Sequence, residues 1–239
     1  MGALEAVVFD WGGTLSLWAD VDLEDVWVLA ARHLDPEGWE ELRGALIDIE
    51  RRFWARVEAT QESAHLSDVL ATATAELGLD VTEAVLEEAA THHLDAWTPH
   101  IRHDPDAVPV LRELRRRGLR TGLLSNTLWP RSFHERFLER DGLLELIDAR
   151  LYTSDLEHTK PHPSVFAAAL EALGDPEPAR TVFVGDRLFD DIWGAGRVGM
   201  RTVHRPNPGV PPFGASPDAT IADLPSLVAV VDRWEAESA

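Results

Sequence analysis

The first apolar run in the chain is short and unbroken. Ala6, Val7, Val8 and Phe9 stand together within Glu5–Asp10, and Gly12, Gly13 and Thr14 then break the pattern. This predicts a short buried strand. From Leu17 to Trp97 the texture is helical. Apolar residues recur at helix-like intervals within Val26–His33, Leu42–Val57, Leu66–Leu77 and Val81–Trp97, and no strand pattern intervenes.

After Pro99 the pattern alternates. Helices are predicted over Val108–Arg117, Pro130–Leu138, Pro163–Leu173, Asp190–Val198 and Leu224–Trp234, with Gly118 and Gly174 stopping two of them. Strands are predicted over Thr121–Leu124, Ile147–Thr153, Thr181–Gly185 and Arg201–His204, and Val210–Asp218 reads as a Pro/Gly-rich loop. Strands separated by helices of this length imply crossover connections and a parallel sheet. The expected architecture is α/β: a Rossmann-like parallel-sheet core from residues 1–16 and 99–239, with a helical domain, 17–98, inserted after the first strand.

Composition narrows the partners. A chain of 239 residues, 45% hydrophobic, suits one sizeable α/β unit carrying a smaller insertion. A formal net charge of −20 argues against nucleic acid, whose phosphates need a cationic surface, and against anionic membranes. No stretch reaches the ~18 apolar residues of a membrane span, and no signal-peptide pattern opens the chain, so a cytoplasmic location is expected. The absence of cysteine excludes thiolate catalysis and Cys-based zinc sites. Among 22 Lys and Arg residues, Lys160 is the one lysine.

In open parallel sheets ligands sit beyond the carboxyl ends of the strands. Three predicted strands end in Asp10, Ser125–Asn126 and Asp186, and Lys160 lies in a loop before a helix. Two carboxylates, a hydroxyl and an amine can thus converge on one crevice. A carboxylate can attack phosphorus if the charges on both are neutralised. Mg²⁺ takes one or two carboxylates with waters and a phosphate oxygen. Lys160 adds positive charge, and Ser125 with nearby backbone amides can donate to phosphate oxygens.

These segments resemble the four ordered motifs of the haloacid dehalogenase superfamily. They read Asp10-Trp11-Gly12-Gly13-Thr14-Leu15, Leu123-Leu124-Ser125-Asn126, Lys160-Pro161, and Gly185-Asp186 followed by Asp190-Asp191. The helical segment sits where the family inserts a type-1 helical cap. The resemblance implies an Mg²⁺-dependent phosphatase acting on a small phosphorylated substrate. Asp10 would be nucleophile and metal ligand, Asp186 a second carboxylate ligand, and Gly12 a ligand through its carbonyl. Ser125, Asn126 and Lys160 would hold phosphate. Asp191 fits the family's later acidic position better than Asp190, although either can fill it.

One position departs. Phosphatases of this family carry a second Asp two residues after the nucleophile as general acid and base, and this chain has Gly12 there. Losing such a group costs ~10²–10⁴ in rate unless something compensates. Another residue could substitute, with His158, His162, Asp20 and Asp22 as candidates. Alternatively the leaving group needs little protonation, or the protein mainly binds a phosphorylated ligand. Haloacid dehalogenases also lack that Asp, but their fourth motif lacks the Gly-Asp pair found at Gly185-Asp186. Phosphonoacetaldehyde hydrolases have a similar first motif but need a cap lysine, and no lysine lies between Met1 and Thr159. Trp11, Trp18 and Trp129 stand near site motifs and could form an aromatic wall for an apolar leaving group. The His92–His93, His100–His103 and His158–His162 pairs are expected to be structural rather than metal-binding.

Overall fold

A computed structural model of the chain describes residues 3–19 and 21–237. Its centre is a six-stranded, fully parallel sheet in the order β3-β2-β1-β4-β5-β6. The strands are β1 Ala6–Phe9, β2 Arg120–Ser125, β3 Ala149–Tyr152, β4 Thr181–Gly185, β5 Arg201–His204 and β6 Ala219–Thr220. Strand alternation divides β1 between two cores. Val7 and Phe9 pack into a cluster with Leu111, Leu114, Phe137 and Val231, from α5 (Ala107–Arg116), α6 (Arg131–Arg140) and α9 (Ser226–Ala236). Ala6 and Val8 face Phe166, Ala169 and Ala195 of α7 (Pro163–Ala172) and α8 (Gly194–Arg197). With both faces covered, β1 has no polar side, which is why its sequence is an unbroken apolar run.

The strand order reverses at β1. From β1 the chain builds outward through β2 and β3 on one side, then returns to lay β4, β5 and β6 on the other. This is a topological switch point, and it opens a crevice beyond the carboxyl ends of β1 and β4. Asp10 and Asp186 are the residues that follow those two strands.

Between β1 and α5 lie four helices: α1 Leu23–Leu34, α2 Trp39–Thr60, α3 Leu66–Glu76 and α4 Glu83–Trp97. They bury their own cluster, including Val26, Trp27, Leu42, Leu46, Leu70 and Ala89. Its links to the sheet are local. Ser16 and His103 pair antiparallel where the chain leaves and re-enters the sheet region. Ser63 N donates to Glu157 O at 3.0 Å, and Thr159 N donates to Gln61 O at 2.8 Å. The loop that carries Lys160 is thereby stitched to the end of α2.

Two predicted elements differ in the structure, and a third element is new. The strand expected over Ile147–Thr153 begins only at Ala149, after a short 3-10 turn over Leu144–Leu146. The helix expected over Asp190–Val198 is a π-helical turn, Leu188–Trp193, running into α8. There the Asp191 Oδ2 accepts the backbone N–H of Arg187, the N-cap residue, at 2.9 Å, and the Arg187 carbonyl accepts from both Asp191 N and Ile192 N. Strand β6 was not predicted. Two residues carry no readable period, and it is held in place by Asp218, whose Oδ2 accepts from Thr202 N at 2.8 Å and Thr202 Oγ1 at 3.0 Å. Among the described residues no helix is long and apolar enough to cross a membrane.

Candidate active site

Asp10, Lys160, Asp186 and Asp191 meet in the crevice. The Lys160 ammonium donates to Asp10 Oδ1 and to Asp191 Oδ1, both at 2.7 Å. All four residues are buried. Burial opposes the charge on Lys160, but the two carboxylates outweigh it and hold the amine cationic. Burial is also the main reason the Asp10 and Asp186 carboxyls are raised above the usual range. Lys160 pulls Asp10 back down, and neighbouring carboxylates push Asp186 further up.

One oxygen in this cluster has no protein partner. Asp186 Oδ2 accepts from Asn207 Nδ2 at 2.9 Å, whereas Asp186 Oδ1 is buried with nothing bonded to it. Ligand-capable oxygens of Asp10, Asp186 and Asp191 lie within 4.8 Å of one another. Asp191 has both of its oxygens committed, to Lys160 and to the Arg187 amide. Its environment suits holding Lys160 more than holding a cation.

Glycine at position 13 is a steric requirement. Gly13 has φ +80°, and a Cβ there would sit 2.2 Å from Asp186 Oδ2. Gly12 is different. A Cβ at that position meets nothing within 4 Å, and the residue lines the main cavity. The missing carboxylate is therefore not excluded by lack of space.

Other predicted residues take less expected parts. Ser125 is buried at the end of β2 and lines the cavity. Asn126 clamps the Lys160 backbone: its Oδ1 accepts from Lys160 N at 2.8 Å and its Nδ2 donates to Lys160 O at 3.0 Å. Asp190 lines the cavity with Arg187, 3.4 Å away, and burial raises its carboxyl to about 6. Asp190 and Asp191 thus point to different tasks, a separation that the π-helical turn permits.

Of the four substitutes considered for the absent general acid and base, the three among the described residues do not line the cavity. Asp22 caps α1 by accepting from Glu24 N at 2.9 Å. His158 and His162 stack on each other, with centroids 3.8 Å apart, and neither lines the cavity. Asp20 lies outside the described residues.

The cavity, of about 590 Å³, spans the site and the helical segment. Trp11, Trp18 and Trp129 line it, as do Trp54, Trp97, Glu50 and Arg187, which sequence reading did not single out. Asn207 was also missed. Its signal lay in the rule already used, because Arg205 to Asn207 directly follow the carboxyl end of β5. Trp11, next to Asp10, is fixed by its indole N–H donating to His103 Nε2 at 3.0 Å, while His103 Nδ1 donates to Asp141 Oδ2 at 2.7 Å.

The comparisons with known proteins agree with this geometry. A family model for haloacid dehalogenase-like hydrolases matches residues 4–199. A Mycobacterium tuberculosis protein named phosphatase MT3486 is 30% identical over 236 residues, covering 96% of this chain and 98% of its own length. A glyceraldehyde 3-phosphate phosphatase of Methanopyrus kandleri is 31% identical over 127 residues, and the match spans about half of each protein, 53% of both. Among solved structures, a 2-haloacid dehalogenase from Pseudomonas syringae superposes with a TM-score of 0.72 at 27% identity, covering 97% of this chain and 99% of that one. A phosphatase from Thermococcus onnurineus superposes with a TM-score of 0.63, also at 27% identity, covering 95% and 98%. With its four motifs gathered at the switch point of a parallel sheet, the chain belongs to the haloacid dehalogenase-like hydrolases.

Proposed function

We propose that this protein is an Mg²⁺-dependent hydrolase of small phosphate monoesters, with Asp10 as nucleophile and residues 17–98 as a cap over the site. The observation that carries the reading is the buried, unpartnered Asp186 Oδ1 beside Asp10. A carboxylate oxygen withdrawn from water without a donor is costly, and a hard divalent cation is the partner that suits it. Asp10, Asp186 and the Gly12 carbonyl would hold Mg²⁺, which when bound would neutralise negative charge on the phosphoryl oxygens.

The protein's own residues then act in sequence. Lys160 and Ser125 hold the phosphoryl group against Asp10. An Asp10 oxygen attacks phosphorus, the bond from phosphorus to the ester oxygen breaks, and the alcohol leaves as its oxygen takes up a proton. Water then attacks the aspartyl-phosphate, releasing inorganic phosphate and restoring Asp10. Asp191 keeps Lys160 in place through both steps. With no acid or base at Gly12, the scheme favours leaving groups that need little protonation.

The likeness to 2-haloacid dehalogenases supports a second reading, in which Asp10 displaces halide from carbon. That chemistry gives Asp186 no task. A third reading keeps the phosphate site for binding alone. The deciding assay is phosphate release from p-nitrophenyl phosphate with Mg²⁺ and with a chelator, beside halide release from a 2-haloacid. The proposal expects Mg²⁺-dependent phosphate release that Asp10→Asn abolishes. Chelator-insensitive halide release would replace it with the dehalogenase. No turnover, together with a melting temperature raised by Mg²⁺ and vanadate, would leave the binding role.

A further inference from the structure

The cavity is chemically divided. At the sheet end stand Lys160 and Arg187; at the helical end stand Glu50 and Glu58 with Trp54, while Trp18 lines the wall beside Gly209. Glu50 is the telling residue. It is 9% exposed, and the charge of its chain neighbour Arg51 acts on it less than burial and two indole N–H groups do. Trp27 Nε1 donates to Glu50 Oε2 at 2.8 Å, and the Trp54 indole is a second donor. Arg51, the next residue, also lines the cavity, but its guanidinium is drawn outward to Asp48 at 3.5 Å.

A buried carboxylate held by two indoles and facing a cavity is poorly compensated. Burial raises the Glu50 carboxyl above its ordinary value, and a cation arriving beside it would offset that cost. Tryptophan faces attract ammonium groups through the ring quadrupole, more strongly once water is excluded. Trp54 and Trp18 are among the few exposed large hydrophobic residues, at 38% and 51%, and both open onto this cavity.

We infer that the substrate is a zwitterionic phosphate monoester whose leaving alcohol carries an ammonium group, with Glu50 and the tryptophans around it receiving that cation. The inference rests on the phosphatase reading above and extends it to a substrate class. It also bears on Gly12. An ammonium group close to the ester oxygen withdraws electrons and makes the departing alkoxide less basic, so loss of the general acid costs less than it would for a neutral alcohol.

The test compares phosphocholine with 3,3-dimethylbutyl phosphate, which has the same shape and lacks the positive charge. Calorimetric titration of the Asp10→Asn protein with Mg²⁺ measures binding without turnover. Phosphocholine should bind at least tenfold more tightly, and adding Glu50→Gln should shrink the difference to within about twofold. Equal affinity for the two esters overturns the inference whether or not the Glu50 variant folds, since that comparison uses Glu50 intact. Failure of both esters to bind, while wild-type protein still hydrolyses p-nitrophenyl phosphate, also overturns it. If that aryl phosphate is not hydrolysed either, the phosphatase reading has failed and takes this one with it.

Discussion

Lys160 is a single ammonium between two buried carboxylates, and its side chain is 1% exposed. Replacing it with methionine leaves Asp10 and Asp191 facing each other in a dry site. Breaking a buried pair in this way destabilises by about 3–5 kcal/mol, and urea unfolding of Lys160→Met should show a loss of that order along with loss of turnover. Gly13→Ala should fail differently, because its Cβ would collide with Asp186 Oδ2 and its φ of +80° disfavours a side chain. The expected result is a folded protein whose melting temperature no longer responds to Mg²⁺. Gly12→Asp has room, and on the present account it supplies the absent acid and base. Turnover of a phosphate ester with a poor leaving group should rise, by up to ~10² or more; an unchanged kcat would mean another group already serves. At this scale the sequence was most readable where residues fell at strand ends. Asp10, Ser125, Lys160 and Asp186 all reached the crevice, whereas Glu50 and Trp54 lie within a helix, and no periodicity says which helical residues face the site.

Elements add a test of their own. His93 of α4 is fully buried, stacks on Trp27 with centroids 3.7 Å apart, and bonds through Nδ1 to Val26 O at 3.2 Å. Its Nε2 accepts from Trp97 Nε1 at 3.2 Å, so the ring is held neutral. Burial pushes its pKa down to about 3. The unfolded chain therefore binds a proton at this residue below about pH 6.5 that the folded chain refuses, and stability falls as pH falls through that window. Between pH 7.5 and pH 5 the expected loss from His93 is about 2 kcal/mol. Denaturant melts at the two values should show it, and His93→Gln should flatten that part of the slope. The pairing of helices and strands was legible from apolar periodicity because the strands are either buried on both faces or bounded by Gly. The π-helical turn was not legible, since apolar periodicity does not distinguish one such turn from an α-helix.

For the molecule as a whole, a net charge of −20 surrounds a site proposed to receive phosphate. Lys160 and Arg187 stand at the cavity's sheet end, and association with an anionic ester should therefore quicken as salt screens the wider negative field. The parallel sheet followed from strands alternating with helices, whereas its strand order and the switch point at β1 did not. The shape of the cavity was not legible either, because it depends on how the helical cluster packs against Leu128 and Trp129 after β2, and on the stitch between Gln61–Ser63 and Glu157–Thr159. The proposed mechanism phosphorylates Asp10, and the absence of a base at Gly12 makes that intermediate measurable. An aryl leaving group departs without an acid, but the water that follows has no base at that position, so aspartyl-phosphate should accumulate. Acid quenching during the first turnovers of a radiolabelled aryl phosphate, followed by peptide mapping, should place the label on the peptide containing Asp10, with none in Asp10→Asn. Phosphate released by the wild-type protein with no label ever found on that peptide would contradict the account.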